Sequence, residues 1–303
     1  MRVAIPGGTG LIGRALSRAL LARHHEPIAL TRSPDRVPAA TPFSGVRRWD
    51  PAAASAGPNP FEGVDAVVNL AGEPIAGGRW TAERKRRIHR SRSEGTRAIV
   101  DAIAALEAKP RILVAGSAVG FYGSRGDAQL RENEPGGEDF LAGVCRDLER
   151  EAGRAKELGL RVVALRTSPV LSAHGGVLEQ MVRPFRLGLG GRIGSGRQWF
   201  PWIHVTDIAD LLVFCLEKEA VDGPVNAVSP GIVTNAGLTG ALAGAVGRKA
   251  PWVIPPLALR LLYGEMASVL VASIRAVPEK AMSSGFRFRY RSIDEALADC
   301  LHV

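Results

Sequence analysis

A glycine-rich turn directly after the first apolar segment is the feature that most constrains the fold. The run RVAIP at 2–6 is followed at once by GGTGLIG, which places Gly7, Gly10 and Gly13 at the start of a helical pattern. Glycines there permit a tight turn, close approach of backbone N–H groups to a pyrophosphate, and close helix packing. The helix N-terminus also favours an anion. We therefore predict a dinucleotide-binding turn that includes Leu11 and Ile12; a glycine-rich turn without a ligand is the alternative.

Short apolar runs alternate with longer segments of helical spacing from the first residue to about residue 170. This rhythm predicts an α/β fold, a Rossmann-type doubly wound parallel sheet. The predicted strands are 2–6, 27–31, 46–49, 66–70, 111–116 and 162–166. The predicted helices are 10–24, 81–107 and 140–158.

The length of 303 residues suggests two lobes. We predict an NADP-binding Rossmann domain at 1–175, to which 205–230 returns, and a smaller C-terminal α/β substrate lobe built from 176–204 and 231–303. A ligand between the lobes would lie at the carboxyl ends of the strands, where open α/β sheets bind theirs.

The end of the second predicted strand indicates which cofactor is bound. An Asp or Glu at this place would bind the ribose 2′-hydroxyl of NAD, but the chain reads Ala-Leu-Thr31-Arg32-Ser. Without a carboxylate to repel a 2′-phosphate, and with a hydroxyl donor and a cation instead, NADP(H) is favoured.

A third element, Asn69-Leu70-Ala71-Gly72, follows the fourth predicted strand. Its small residues would let the backbone lie against the cofactor's ribose or pyrophosphate. The alternative is a buried turn in which Asn69 holds the backbone.

These motifs resemble those of the extended short-chain dehydrogenase/reductase superfamily. GGTGLIG is similar to its glycine signature, NLAG to its second cofactor motif, and Gly116-Ser117 to the site of its catalytic Ser or Thr. The strings GSAVGFYG (116–123), RPFRLGLGGRIGSGRQWFPWIHVTD (183–207) and NAVSP (226–230) resemble an atypical epimerase-like family with its own short C-terminal domain, here at about 248–298.

The resemblance implies NADP(H) binding and an epimerase or oxidoreductase activity on a small-molecule substrate. The positions that match the family's cofactor contacts are Thr31, Arg32, Leu70, Ala71, Arg92 and Val170.

The superfamily's catalytic Tyr-x-x-x-Lys is missing. Aligning Glu149 with the acid that usually follows that Lys places Leu141 and Cys145 at the Tyr and Lys positions. Neither can pass a proton as a phenol beside an ammonium does. We therefore predict Ser117 and Tyr122 as the catalytic pair, with packing or substrate stacking as the alternative for Tyr122.

Two other residue types with possible chemistry are predicted to be structural. Cys145 is expected to be a small buried hydrophobe rather than a nucleophile. In PWIHVTD, Thr206 or Asp207 is expected to cap a helix, and His204 is expected to be structural rather than an acid or base.

The glycine-rich segment between the lobes supplies the candidate substrate-binding residues, because guanidiniums and a flat aromatic suit phosphates and base or sugar rings. The candidates are Arg186, Arg192, Arg197, Gln198 and Trp202. A solvated loop is the alternative. The predicted enzyme acts on a small polar, possibly nucleotide-linked sugar; a non-catalytic NADP(H)-binding sensor that has lost the proton relay is the second hypothesis.

The net charge of +9 would permit nucleic-acid binding, and RKRRIHRSR at 84–92 is one dense basic run. A solvated helix face is the preferred interpretation, because no recognition motif or interleaved aromatic accompanies it. Three widely spaced cysteines predict neither disulfides nor a metal site. With no long apolar stretch, we expect a cytoplasmic monomer or homodimer without a membrane partner.

Overall fold

The computed structural model describes residues 1–53, 57–76 and 78–302. Residues 54–56, 77 and 303 lie outside the described part. The strands are β1 Arg2–Pro6, β2 Glu26–Thr31, β3 Gly45–Arg48, β4 Ala66–Asn69, β5 Ile112–Ala118, β6 Gln129–Leu130, β7 Arg161–Thr167, β8 Val170–Leu171, β9 Gly191–Ile193, β10 Trp199–Phe200, β11 Ile203–His204, β12 Gly223–Ala227, β13 Val233–Thr234, β14 Trp252–Ile254 and β15 Arg275–Ala276. The helices are α1 Leu11–Leu21, α2 Ala82–Ala104, α3 Phe140–Gly153, α4 Val177–Arg186, α5 Val205–Glu217, α6 Asn235–Ala245, α7 Pro256–Tyr263, α8 Ala267–Val271, α9 Glu279–Ser283 and α10 Ile293–Leu301.

The main sheet has seven strands in the order β12-β7-β5-β4-β1-β2-β3. All its pairs are parallel, for example Ile5 beside Ala29 and Val3 beside Ala66. The chain moves to one side of β1 through β2 and β3, then to the other side through β4 and β5. This confirms the predicted fold class, and it creates a crevice at the carboxyl ends of β1 and β4, where such sheets bind ligands.

Both faces of the sheet are buried, as in other parallel sheets. Successive side chains of a strand point to opposite faces, so Val3 and Ile5 enter the core beneath α1 and α5, whereas Ala4 enters the core beneath α2 and α3. Strands of this kind are continuous apolar runs, which is why the first segment could be recognised in the sequence.

Side-chain caps start α2 and α3. The Thr81 hydroxyl accepts a hydrogen bond from the N–H of Arg84 at the start of α2, and the Asp139 carboxylate accepts one from Ala142 at the start of α3. The α3 helix ends at Gly153 and continues as a short 3-10 turn, so the predicted helix at 140–158 is two elements.

A second core lies among α4, α6 and α10, with Trp202 at its centre. Part of the C-terminal stretch predicted for the substrate lobe packs against the main sheet instead. Ala281 and Phe288 are buried in the core beneath α1 and α5, because their apolar side chains cover that side of the main sheet. Within 231–303, the C-terminal stretch thus contributes to both cores.

Candidate cofactor site and active site

The glycine turn after β1 is folded so that no side chain fits into it. Gly7 has a φ of +78°, and a Cβ there would lie 2.7 Å from the backbone N of Ala71. A Cβ on Gly13 would lie 2.4 Å from the carbonyl oxygen of Gly8. The turn is closed by the N–H of Gly8 donating to Ile5 and that of Gly10 donating to Gly7. This close packing provides the cradle that a pyrophosphate needs.

The N-terminus of α1 is open at this cradle. Its N-cap residue, Gly10, has no side chain to accept from the first-turn N–H groups, and that turn contains no acidic residue. The backbone N–H groups of Leu11, Ile12 and Gly13 and the positive end of the helix dipole are therefore free to meet an anion.

The exit of β4 forms the adjoining wall. Buried Asn69 donates to the hydroxyl of Thr96 at 3.1 Å and accepts from the N–H of Ala71 at 3.1 Å. It thus holds the turn that brings Leu70 and Ala71 against Gly7. These contacts support the alternative in which Asn69 holds the backbone of a buried turn.

Arg92 reaches this wall from α2. Its guanidinium donates to the carbonyl of Glu73 at 2.9 Å and lies over Gly72, where a Cβ would be 3.1 Å from the guanidinium carbon. Burial lowers the pKa of Arg92. A buried guanidinium with only part of its donor capacity used is suited to a cofactor oxygen.

Two further predicted contacts lie at the ends of this crevice. Val170 is next to Leu11, since a Cβ on Gly176 would be 3.0 Å from the Leu11 side chain and 3.8 Å from the Val170 carbonyl. At the end of β2, Thr31 is half-buried and Arg32 is exposed, and within the described residues the Arg32 side chain forms no ion pair or hydrogen bond. A 2′-phosphate would meet this cation unopposed.

Ser117 lies at the carboxyl end of β5 and is largely buried. Its hydroxyl donates to a carboxylate oxygen of Glu149 at 2.7 Å. The same carboxylate is bound by one edge of the Arg166 guanidinium, with Nε and Nη2 donating at 3.0 and 2.9 Å. Burial alone would lower the pKa of Arg166, but the hydrogen bonds and charge of Glu149 outweigh it and the pKa is raised, so the guanidinium stays charged.

The structure corrects the prediction for Tyr122. Its side chain is fully buried, and its hydroxyl accepts from Arg166 at 2.9 Å and donates to the Asn226 amide oxygen at 2.7 Å. Burial raises the pKa of Tyr122. A phenol enclosed in this way cannot reach a substrate, so Tyr122 closes a structural network instead of acting as the acid/base group.

Leu141 and Cys145 lie on α3 facing the loop after β5. A Cβ on Gly120 would be 3.4 Å from the Leu141 Cβ, and the Cys145 thiol lies 3.7 Å from the carbonyl of Ala118. Burial raises the pKa of the Cys145 thiol to about 11, which makes a nucleophilic thiolate unfavourable.

The sequence interpretation missed Tyr263. This half-buried residue ends α7 and packs on an apolar cluster of Trp80, Ile88 and Met266, which Leu141 also contacts. Of the three tyrosines, Tyr122 and Tyr290 have bonded hydroxyls, whereas that of Tyr263 forms no hydrogen bond within the described residues. The small lobe therefore brings the phenol of Tyr263 to the apolar cluster that Leu141 contacts, and Leu141 stands at the position of the superfamily's catalytic Tyr.

Of the predicted substrate-binding residues, two line a cleft and a third lies next to it. Arg197 and Gln198 line a cleft of about 360 Å³ together with Asp127 and Ser273. Arg192, on β9, donates from one guanidinium nitrogen, Nη1, to the carbonyls of Gly194 and Ser195, both of which line that cleft, at 2.9 and 2.8 Å.

Arg186 and Trp202 do not lie in the cleft. Arg186 is exposed at the end of α4. Trp202 is fully buried, and its indole N–H donates to the carbonyl of Gly231 at 2.8 Å. Because its ring is enclosed in the core of the small lobe, the predicted stacking of Trp202 on a substrate is wrong.

His204 is a buried helix cap, and it lies within 4.8 Å of ligand atoms of Asp299 and Cys300. Its Nδ1 accepts from the N–H of Thr206 at 3.2 Å, which leaves the proton of a neutral ring on Nε2, the atom that would have to bind a metal. Burial raises the pKa of Cys300 to about 12. This arrangement fits the predicted structural role of His204 better than a metal site.

The basic run lies on α2, where several of its cations pair with carboxylates of the same chain. Lys85 contacts Glu265 at 2.8 Å, and Arg90 contacts Glu94 at 3.0 Å. None of the helices in the described residues has the length and apolar character needed to cross a membrane.

A parallel sheet with this strand order and a glycine turn at its crevice defines a dinucleotide-binding protein of the Rossmann type. The chain belongs to the NAD dependent epimerase/dehydratase family, whose profile matches residues 3–228. A domain of unknown function, DUF1731, matches residues 254–300. The predicted resemblance, including a C-terminal domain, is thereby confirmed.

Individual relatives are similar over nearly the whole chain. Epimerase family protein Mb2239 of Mycobacterium bovis is 40% identical, covering 97% of this chain and 96% of its own. The crystal structure of human epimerase family protein SDR39U1 with NADPH has a TM-score of 0.88 and 33% identity, covering 100% of this chain and 99% of its own. A nucleoside-diphosphate sugar epimerase from Corynebacterium glutamicum has a TM-score of 0.80 and 34% identity, covering 99% of this chain and 58% of its own.

Proposed function

We propose that this chain is an NADP(H)-dependent, epimerase-like oxidoreductase that acts on a small polar substrate, with nucleotide-linked sugars as the class to test first. The observation that carries the proposal is the tight glycine turn after β1, in which a Cβ at Gly7 or Gly13 would clash with backbone atoms, together with the exposed cation of Arg32 at the end of β2. The NADPH in the human relative supports the cofactor, and the sugar-nucleotide epimerase from Corynebacterium supports the substrate class.

Each wall of the crevice has a role in this proposal. The N–H groups of residues 11–13 bind the pyrophosphate, and Thr31 and Arg32 bind the 2′-phosphate. The backbone at 70–72, with Arg92 and Val170, holds the ribose and nicotinamide end. Bound NADP(H) supplies or accepts hydride, and the chain has to orient the substrate and handle the proton.

For the proton, we propose Ser117 and Tyr263. Ser117 is oriented by Glu149, which accepts its hydrogen bond and is itself fixed by Arg166. Tyr263 approaches from the small lobe and packs on the cluster that Leu141 contacts. Its hydroxyl forms no hydrogen bond within the described residues, unlike those of the other two tyrosines. Arg197 and Gln198 are proposed to bind the polar end of the substrate in the cleft beside Asp127.

We expect Arg32→Ala to weaken NADPH binding about 10- to 150-fold, because a charge-assisted bond to the 2′-phosphate contributes about 1.5–3 kcal/mol. NADH affinity should change little, since NADH lacks that phosphate. Fluorescence titration of both cofactors measures the effect, with Arg36→Ala as a nearby exposed control. Equal NADPH and NADH affinities in the unmodified protein would contradict the assignment.

A non-catalytic NADP(H) sensor is the second candidate. The observation that favours it is the loss of both Tyr-x-x-x-Lys side chains, with Leu141 and Cys145 in their places. Tight NADPH binding without turnover of any substrate in a broad carbonyl and nucleotide-sugar screen would favour the sensor.

A further inference from the structure

The small lobe displays large apolar side chains to solvent along the end of α4, β14 and α7. Leu187 is 68% exposed, Trp252 57% and Leu261 68%. The segments are joined, because the indole N–H of Trp252 donates to the carbonyl of Gly188 at 3.0 Å, and α7 follows β14 directly. We call this region, residues 183–189 with 248–261, the basic-apolar surface. Exposed apolar side chains collected in one region are typical of an interaction site.

The cations of the basic-apolar surface are exposed to solvent. They are Arg183, Arg186, Arg248, Lys249 and Arg260. None of them forms an ion pair with any residue of the described ranges. The sequence explains why, since neither 180–206 nor 223–264 contains an Asp or a Glu.

The basic run on α2 behaves differently, although it is denser in the sequence. Arg87 pairs with Glu83 at 3.0 Å and Arg90 with Glu94 at 3.0 Å, both at the helical spacing of four. Its charge is therefore partly neutralised within the chain. The uncompensated positive potential lies instead on the basic-apolar surface.

We propose that the basic-apolar surface binds anionic lipid headgroups and holds the protein peripherally on a membrane. Leu and Trp side chains enter the boundary of headgroups and acyl chains while Arg and Lys pair with anionic lipids. The α7 helix suits this role, because none of its residues is buried in the protein. Peripheral contact of this kind needs no spanning helix, so it is compatible with the finding that no helix of the described residues could cross a membrane.

Charge argues against a second copy of the chain as the occupant. A two-fold symmetric contact would place this surface against itself, and its like charges would then oppose one another. An anionic bilayer offers the opposite charge together with an apolar layer, which matches both properties of the surface.

The test is co-sedimentation of the protein with phosphatidylcholine vesicles that contain or lack phosphatidylglycerol. Binding is expected only with phosphatidylglycerol, and it should weaken as salt is raised. Arg248→Gln with Lys249→Gln should reduce binding about 20- to 30-fold, at about fivefold for each charge. The matched control, Arg87→Gln with Arg90→Gln, removes the same charge from α2 and should bind like the unmodified protein.

The apolar contribution is tested with Leu187→Asn and Leu261→Asn, both at exposed sites where folding should be retained. The pair is expected to weaken vesicle binding about tenfold or more. No binding to anionic vesicles at low salt, or equal losses in the two charge variants, would overturn the proposal. A concentration-dependent dimer that the Leu variants abolish would also overturn it. So would binding to polyglutamate that is as strong as binding to anionic vesicles and is unchanged in the Leu variants. NADPH affinity in every variant reports on folding separately.

Discussion

Replacing Tyr263 by phenylalanine is expected to lower turnover by about 10²- to 10⁴-fold, the usual contribution of general acid or base catalysis. Tyr263 packs on the cluster that Leu141 contacts, and its hydroxyl is free within the described residues. Because the substitution removes only that hydroxyl, NADPH affinity should be unchanged. Steady-state rates with a substrate from the nucleotide-sugar and carbonyl screen, alongside fluorescence titration of NADPH, measure the two effects.

Tyr122→Phe is the matched control, since it removes the same atom from a phenol that is enclosed by Arg166 and Asn226. We expect it to lower the free energy of unfolding by about 1–3 kcal/mol, the cost of leaving buried partners unsatisfied, with turnover retained. A rate loss confined to Tyr122→Phe would reverse the assignment of the two tyrosines. A full rate in Tyr263→Phe would remove Tyr263 from the mechanism.

Arg166→Leu is expected to lower the free energy of unfolding by about 3–5 kcal/mol, because it leaves the Glu149 carboxylate, whose side chain is only 15% exposed, without its counterion. Arg166 is only 4% exposed, and it also donates to Tyr122 and to the carbonyl of Glu132. Its guanidinium carbon lies 3.4 Å from the centre of the Phe121 ring, so packing is lost as well. Denaturant unfolding at neutral pH measures the change.

Two further variants separate the ion pair from the packing. Arg166→Lys keeps the charge but loses the bidentate contact of Nε and Nη2 with Glu149, so its free energy of unfolding should lie between those of the Leu variant and the unmodified protein. The double variant Arg166→Leu with Glu149→Leu should recover much of the loss, since no unpaired charge remains. A cost below about 1 kcal/mol for Arg166→Leu alone would show that the pair is not the buried support described here.

The main sheet could be predicted because its signals are local. The first strand was predicted at its observed bounds, and the fourth to within one residue, since buried parallel strands are apolar runs between turns. The glycine turn was predictable for the same reason. The ion pairs on α2 could also have been found, because Glu83 and Arg87 are four residues apart in a helix.

The candidate active site was harder, because its decisive contacts join distant parts of the chain. Tyr122 is enclosed by Arg166 and by Asn226, which are 44 and 104 residues away. Position after β5 suggested an accessible phenol, and only the fold shows that the ring turns inward. Trp202 was misassigned similarly, because an aromatic in a glycine-rich segment gives no local sign of burial in the core of the small lobe.

Hydride transfer from [4-²H]NADPH is the measurement that tests the central claim most directly. The labelled cofactor is incubated with the protein and a panel of nucleotide-linked keto sugars and small carbonyl compounds, whose carbonyl groups can accept the hydride, and the products are analysed by mass spectrometry. The proposed oxidoreductase chemistry predicts a product that carries deuterium, at a much lower rate in Tyr263→Phe. Tight NADPH binding with no deuterium transferred to any compound of the panel would contradict it.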